Sequence, residues 1–285
     1  MSRRDLIDPE SRVPLDALLG FMPGGFNAIP DIVTRRATVA QILASMPVPP
    51  NPNVTTEDRT VPGPAGDPDI SVRIYRPVGT SATTGTLPGI YYIHGGGMVL
   101  GDVAGEDANA ARLCEEVGAV VVSVEYRLAI YGGSAGGGLT LGTVLLARDR
   151  GGPALAFMMP IYPMIDDTNT SGSSHEITDI GIWDRAGNIE AWAWYLGGKP
   201  ADQYAAPARA TDLSGLPPGF IDVGTVDMFR DEDIAFANRL MQAGVPCELH
   251  VNPGSYHASE VFAPDAALSR RIWALRVDAL RRALA

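Results

Sequence analysis

Ile130-Tyr131-Gly132-Gly133-Ser134-Ala135-Gly136-Gly137-Gly138 decides how this chain folds. An apolar run closes at Tyr131. Five glycines then fall within seven residues, interrupted only by Ser134 and Ala135, and residues 139–148 read as a helix. A strand that turns abruptly into a helix needs small residues at the corner, because side chains there would collide. Gly132-x-Ser134-x-Gly136 has the spacing of a nucleophile elbow, in which a serine sits on a strained turn with its hydroxyl clear of the sheet. The helix that follows directs its N-terminal amides toward that oxygen. A phosphate-cradling loop is excluded, since no Lys-Ser/Thr pair follows the glycines.

Working outward, Gly89–Ile93 is a continuous apolar run, as expected of a strand buried on both faces, and it ends in His94-Gly95-Gly96-Gly97. Bare glycines at the C-terminal end of such a strand let backbone amides approach a ligand closely, which an oxyanion hole requires. Downstream, residues 219–224 form another buried run, ending at Thr225-Val226-Asp227. Residues 247–251 form the last strand, followed by a loop to His257. Ser134, Asp227 and His257 therefore each follow the C-terminal end of a parallel strand, and such ends share one sheet edge. Serine needs a base to take its proton and a carboxylate to orient that base. The order Ser…Asp…His is that of α/β-hydrolases. Asp222 lies inside its strand and Asp231 and Glu232 lie in the next helix, so Asp227 is the candidate acid. His250 is inside the last strand, His175 is in a polar insertion, and His94 reads as structural, which leaves His257 as the base.

With these residues in hand, the chain resembles the hormone-sensitive-lipase-type (family IV) bacterial esterases of the α/β-hydrolase fold. The resemblance is carried by His94–Gly97, by Glu125-Tyr126-Arg127-Leu128-Ala129, by Gly132–Gly137, by residues 227–232 and by Tyr256-His257. It implies a mostly parallel central sheet covered by helices on both faces, with a helical cap. It implies Ser134, Asp227 and His257 as the triad and the amides of Gly96, Gly97 and Ala135 as the oxyanion hole. The implied activity is a serine carboxylesterase working on short-to-medium acyl esters through an acyl-enzyme, with no cofactor and with frequent dimerisation, so a homodimer is an open expectation. Amides, lactones or carbamates could be served by the same triad. A ligand-binding protein on a hydrolase scaffold is the alternative of another class, disfavoured because all three residues are present. Three positions depart from the family pattern: Gly133 stands where Asp is usual, Met228 where proline is usual, and Ala258 where glycine is common.

A larger departure lies between Ala129 and Ile130. The family continues through a loop and a long helix before its nucleophile strand, and some thirty-odd residues are absent by comparison. Two parallel strands need a crossover of about a dozen residues. In the family sheet these two strands also flank a third, which puts them about 9.6 Å apart at ~4.8 Å per neighbour. One peptide bond spans only about 3.8 Å. The polypeptide could carry an additional segment at this point, it could run as one long strand from Ala119 through Tyr131, or it could bear a true deletion that damages the fold. The first is favoured because every other element is intact.

The remaining features bound the answer. A chain of 285 residues with 46% hydrophobic content supports one large α/β domain. Its net charge of −11 argues against nucleic acid and anionic membranes as partners and says little about the substrate; a small-molecule ester is the partner that the esterase resemblance implies. No apolar h-region follows Met1-Ser2-Arg3-Arg4-Asp5, no run reaches membrane-spanning length, and Cys114 and Cys247 read as buried thiols, so the expected location is cytoplasmic. Four histidines without ligand spacing predict no metal site. The expected organisation is cap helices over 1–50, with Pro14 and Pro30 in first helical turns, a first core part over 51–169, a cap insertion over 170–205 and a second core part over 206–285. Residues 154–159 are expected as a strand stopped by Pro160, and residues from about 264 to 284 as a closing helix. Met98, Trp183 and Trp192 are candidate substrate-binding walls of the pocket.

Overall fold

The computed structural model describes residues 3–29, 31–45, 49–62, 69–79, 87–124, 131–152, 154–180 and 182–284. Two helices come first, α1 (Pro9–Phe21) and α2 (Ile32–Ser45). Asp8 caps α1 by accepting the Ser11 amide at 2.9 Å, and Pro9 occupies its first position. The helix thus starts earlier than expected, and Pro14 lies inside it rather than in the first turn. Pro30 lies outside the described residues.

Eight described strands follow: β1 (Val54–Val61), β2 (Ile70–Pro77), β3 (Gly89–Ile93), β4 (Val120–Val124), β5 (Tyr131–Gly133), β6 (Met159–Ile161), β7 (Gly219–Val226) and β8 (Cys247–Tyr256). They form one sheet in the order β1-β2-β4-β3-β5-β6-β7-β8. β1 pairs antiparallel with β2 and β2 with β4, while all other pairs are parallel. The helices between strands are α3 (Asp107–Val117), α4 (Ala135–Asp149), α5 (Gly172–Glu176), α6 (Arg185–Leu196) and α7 (Arg230–Gln242); α8 (Ser259–Phe262) and α9 (Ala267–Leu284) end the chain.

Side-chain alternation assigns the faces. Tyr75, Ile90, Tyr92 and Val121 point into a core with Leu113 of α3 and Trp273, Val277 and Leu280 of α9. Leu141 and Leu145 of α4 pack with Ile221 of β7 and Phe236 and Leu240 of α7 on the opposite face. Among the described residues no helix is long and apolar enough to cross a membrane.

Three strand expectations change. β6 begins at Met159 and contains Pro160 rather than stopping before it. Met158 and Tyr162 donate to Pro218 and Asp222 of the β7 side at 3.0 and 2.7 Å, and Pro160, between them, has no N–H to give. The strand is consequently short. β8 continues to Tyr256 across Asn252–Ser255, with a register shift opposite Gly224 and Val226 that carries it past Pro253. The idea of one long strand from Ala119 to Tyr131 fails, because β4 and β5 lie on opposite sides of β3. The junction of Ala129 with Ile130, and Glu125–Ala129 with it, lies outside the described residues.

The connections also explain one bare surface. β3–α3–β4 steps toward β2 and puts its helix on the α9 face. A right-handed crossover from β4 back to β5 steps the other way, and so belongs on the α4 face. There, Tyr91 is 41% exposed at the middle of the sheet, and Ile74, Val120 and Val122 are half-buried. Strands in the parallel part of a sheet are ordinarily covered on both sides.

Over the C-terminal edge of the sheet, Leu15, Leu18, Phe26 and Val39 of the first helices share a cluster with Ile177, Ile182, Trp183 and Trp192. Arg35, 1% exposed, joins these two parts. Its guanidinium donates to the Ile29 carbonyl, pairs with Glu190 at 3.2 Å and lies 5.3 Å from the Trp194 ring centre.

Candidate active site

β5 delivers Ser134 to the sheet edge, and α4 starts immediately after it. Ser134 adopts φ +58° and ψ −121°, a sparsely populated region held by its surroundings. Its amide donates to the Ile161 carbonyl at 2.9 Å, and its carbonyl accepts from Met164 at 2.9 Å and Gly138 at 3.1 Å. The flanking glycines are obligatory. A Cβ on Gly132 would collide with the Gly136 backbone, and one on Gly136 with the carbonyls of Ile93 and His94. The elbow is thus pressed directly onto the end of β3.

Asp227 follows β7 and His257 follows β8. The Asp227 carboxyl is fully buried; one oxygen accepts the Phe229 amide at 3.0 Å and the other meets His257 Nδ1 at 2.8 Å. His257 Nε2 stands 2.9 Å from Ser134 Oγ. Three side chains drawn from distant parts of the sequence therefore form one continuous hydrogen-bonded line. The exposure of Ser134 and His257 is only 7% and 5%, so the line works in a largely desolvated site, where electrostatic interactions are strong.

The His257 ring is gripped edge-on by two aromatics. Tyr162 and Phe229 have centroids 4.8 and 5.2 Å away, at interplanar angles of 66° and 77°. Neither was evident from the sequence. The only available signal for Tyr162 was its position one residue past a buried strand, the position that Ser134, Asp227 and His94 also occupy near their own strand ends. Tyr162 Oη donates to Glu260 at 2.5 Å, and burial together with the Glu260 charge pushes its hydroxyl well above the usual phenol range.

A cavity of about 460 Å³ opens above Ser134 and His257. Gly95, Gly96 and Gly97 line it, as do Leu18 of α1 and Phe26 in the segment that follows α1. Gly96 and Gly97 have φ of +125° and +60°, and a Cβ on Gly97 would collide with the Trp183 ring. Ala135 is fully buried in the first turn of α4, where backbone amides have no partner within the helix. Of the candidate walls, Trp183 lines the cavity, with its indole N–H donating to Asn188 at 3.0 Å. Met98 and Trp192 do not. The Met98 methyl packs over Gly138, and Trp192 is buried on α6 with its ring 5.9 Å from Tyr195. A methionine or tryptophan can serve packing as well as binding, and the sequence does not separate the two.

The other histidines are placed elsewhere. His94 is buried with Nδ1 2.8 Å from the Gly95 carbonyl, His250 stacks on Phe220 and meets Glu248 at 2.8 Å, and His175 Nδ1 lies 2.9 Å from the Ser171 carbonyl on the surface. Asp222 is held by Arg276 through two contacts of 2.8 and 3.0 Å. Among the described residues no group of three or more His, Cys, Asp or Glu side chains could hold a metal ion. Cys114 and Cys247 are free thiols, the first buried and the second half-buried.

Comparison with known proteins adds to this geometry. The chain matches the family described as the alpha/beta hydrolase fold in two pieces, over residues 90–131 and 127–261. It is 32% identical over 326 aligned residues to the carboxylesterase NlhH of Mycobacterium tuberculosis, covering 100% of this chain and 99% of that protein. It is 32% identical over 284 residues to the esterase LipI of the same organism, covering 84% and 87%. Among solved structures it is similar to a bacterial heroin esterase, with a TM-score of 0.90, 33% identity and full coverage of both chains. The NlhH alignment spans 326 positions against 285 residues here, so at least 41 positions have no counterpart in this chain. The family match breaks at 127–131, between β4 and β5.

Proposed function

The chain belongs to the α/β-hydrolase family that contains the hormone-sensitive-lipase-type esterases, and from that footing we propose that it is a serine carboxylesterase with Ser134 as nucleophile. The observation that carries this reading is the line of contacts from Asp227 to His257 at 2.8 Å and from His257 to Ser134 at 2.9 Å.

His257 Nε2 takes the Ser134 proton as Oγ attacks the ester carbonyl. Asp227 holds the ring through Nδ1 and stabilises the imidazolium. The negative charge that develops on the carbonyl oxygen is met by the amides of Gly96, Gly97 and Ala135, fixed donors that need no reorganisation during the reaction. Collapse of the tetrahedral intermediate breaks the C–O bond, and His257 gives its proton to the leaving alkoxide. Water then repeats the cycle on the acyl-enzyme and releases the acid. The cavity of about 460 Å³, walled by Leu18, Phe26, Ile182 and Trp183, suits a small ester with a short-to-medium acyl chain. The cytoplasm is the compartment we assign, in keeping with two unpaired cysteines.

Ser134→Ala tests the assignment. It should abolish turnover of p-nitrophenyl butyrate while leaving the far-UV circular dichroism unchanged. A folded variant that still turns the ester over overturns it. Rates across esters from C2 to C12 should peak at the short end, and a peak at C12 would contradict the acyl-chain assignment.

A further inference from the structure

Beside the His257 ring, along the wall of the same cavity, lies a largely buried polar cluster that the mechanism above does not use. Tyr162, held at φ +34°, presents its ring edge to His257 and its hydroxyl to Glu260 Oε1 at 2.5 Å. The same oxygen accepts from Arg276 at 2.6 Å. Arg276 donates through its other nitrogens to both oxygens of Asp222, and its guanidinium carbon lies 5.3 Å from the Tyr162 ring centre. Arg276 and Asp222 are 2% and 1% exposed, and the Glu260 side chain is 8% exposed.

The connectivity is what gives the cluster meaning. Tyr162 leaves the end of β6, Asp222 sits in β7 five residues before Asp227, and Glu260 lies in α8 three residues after His257. The Tyr162 ring also backs onto Gly133, the residue preceding the nucleophile. One tyrosine therefore touches the turn that carries the serine, the ring that carries the base, and the segment on which that base is mounted. Burial raises the Glu260 carboxyl, but the Arg276 charge and the hydrogen bonds from Tyr162 and Arg276 outweigh it and hold Glu260 ionised as a strong acceptor.

We propose that Tyr162 is a positioning residue whose hydroxyl, anchored on Glu260 by Arg276, holds the His257 ring at hydrogen-bonding distance from Ser134. The inference rests on the serine esterase reading. A loss of this anchor lets the ring and its loop move by a fraction of an ångström, and small misplacements of catalytic groups are costly to rate.

Three variants separate geometry from charge. Tyr162→Phe keeps the ring against His257 and removes only the hydroxyl. Glu260→Asp keeps the charge that neutralises Arg276 but withdraws the acceptor from Tyr162. Glu260→Gln loses the charge but keeps an oxygen that both donors can reach. We expect Tyr162→Phe and Glu260→Asp to lower kcat about tenfold, with KM within twofold of the parent, and Glu260→Gln to lose less than threefold. A tenfold loss corresponds to about 1.4 kcal/mol of activation free energy. Melting temperature monitors the fold of each, and Glu260→Asp decides the matter if Tyr162→Phe does not fold. The inference is overturned if Glu260→Gln loses more than Glu260→Asp, if the loss falls on KM, or if both geometric variants match the parent. Ser134→Ala is assayed alongside. If it stays active, the esterase reading itself fails. If it is dead while Tyr162→Phe is fully active, only the positioning role fails.

Discussion

Gly133 and Tyr162 share one narrow space: a Cβ on Gly133 would stand 3.3 Å from Cε2 and 3.4 Å from Oη of Tyr162. Resemblance to the esterase family puts an aspartate at this position, and its replacement by glycine reads from the sequence as the loss of a charge. The structure gives a steric reason instead. With glycine at 133, the Tyr162 ring can approach the backbone beside Ser134 and still reach His257. Gly133→Asp should therefore lower kcat for p-nitrophenyl butyrate about tenfold or more, and Gly133→Ala about two- to threefold, because each pushes Tyr162 away from His257. Kinetics on variants with parental circular dichroism provide the check. A fully active Gly133→Asp enzyme would mean that the ring has room to spare.

Ala258 adopts a left-handed conformation, φ +58° and ψ +31°, directly after His257. A Cβ in that region costs about 1–2 kcal/mol, and glycine gives back part of the difference through the freedom of the unfolded chain. Ala258→Gly should stabilise the protein by about 0.5–1 kcal/mol, a rise of roughly 1–4 °C in melting temperature for a chain of this size. Thermal unfolding followed by circular dichroism measures it. A lower melting temperature would show that the alanine methyl contributes packing that outweighs its strain.

The parts legible in the sequence are those where backbone geometry permits few residue types. Gly132 and Gly136 are dictated by contact with neighbouring backbone, so the elbow could be read directly. Asp227 and His257 stand where parallel strands end, a position that topology alone brings to one edge. What stayed illegible depends on side-chain direction across the fold. Met98 and Trp192 look as suitable for a pocket wall as Trp183 does, yet only Trp183 turns into the cavity. Glu260 and Arg276 look like ordinary helical charges, and only the packing of α9 on β7 reveals them as a buried pair. The extent of β8 is not legible because Pro253 and Gly254 signal a turn, whereas a register shift absorbs them.

Asp233 is fully buried in α7, and neither of its carboxyl oxygens has a hydrogen-bond partner among the described residues. Burial, followed by the nearby charges of Glu232, Asp227 and Asp222, pushes this carboxyl well above the usual range. In the unfolded chain its pKa returns to about 3.9. Between those two values the folded protein binds a proton that the unfolded chain does not, so stability contributed at this site falls as pH rises, by at most about 1.4 kcal/mol per pH unit. Asp233→Asn removes the titration. Urea unfolding at pH 5 and pH 8 should show the variant gaining stability relative to the parent at the higher pH. Parallel behaviour of the two proteins would show that Asp233 titrates normally.

Tyr91, Ile74, Val120 and Val122 leave an apolar surface on the α4 side of β3 and β4, where a right-handed β4–β5 crossover belongs. NlhH has at least 41 aligned positions without a counterpart here, and the family match breaks at this connection. Grafting the NlhH residues that fall between its counterparts of Val124 and Tyr131 into this chain should cover that surface. Completing the burial of each half-covered aliphatic side chain contributes about 1 kcal/mol, so the graft should stabilise the protein by a few kcal/mol in all. Fluorescence of the apolar dye ANS reads the exposed surface and should fall on grafting, while the melting temperature rises. In the ungrafted chain, Tyr91→Lys should lower dye binding on its own. A graft that leaves both the dye signal and the melting temperature unchanged would show that the crossover of the relatives packs somewhere else.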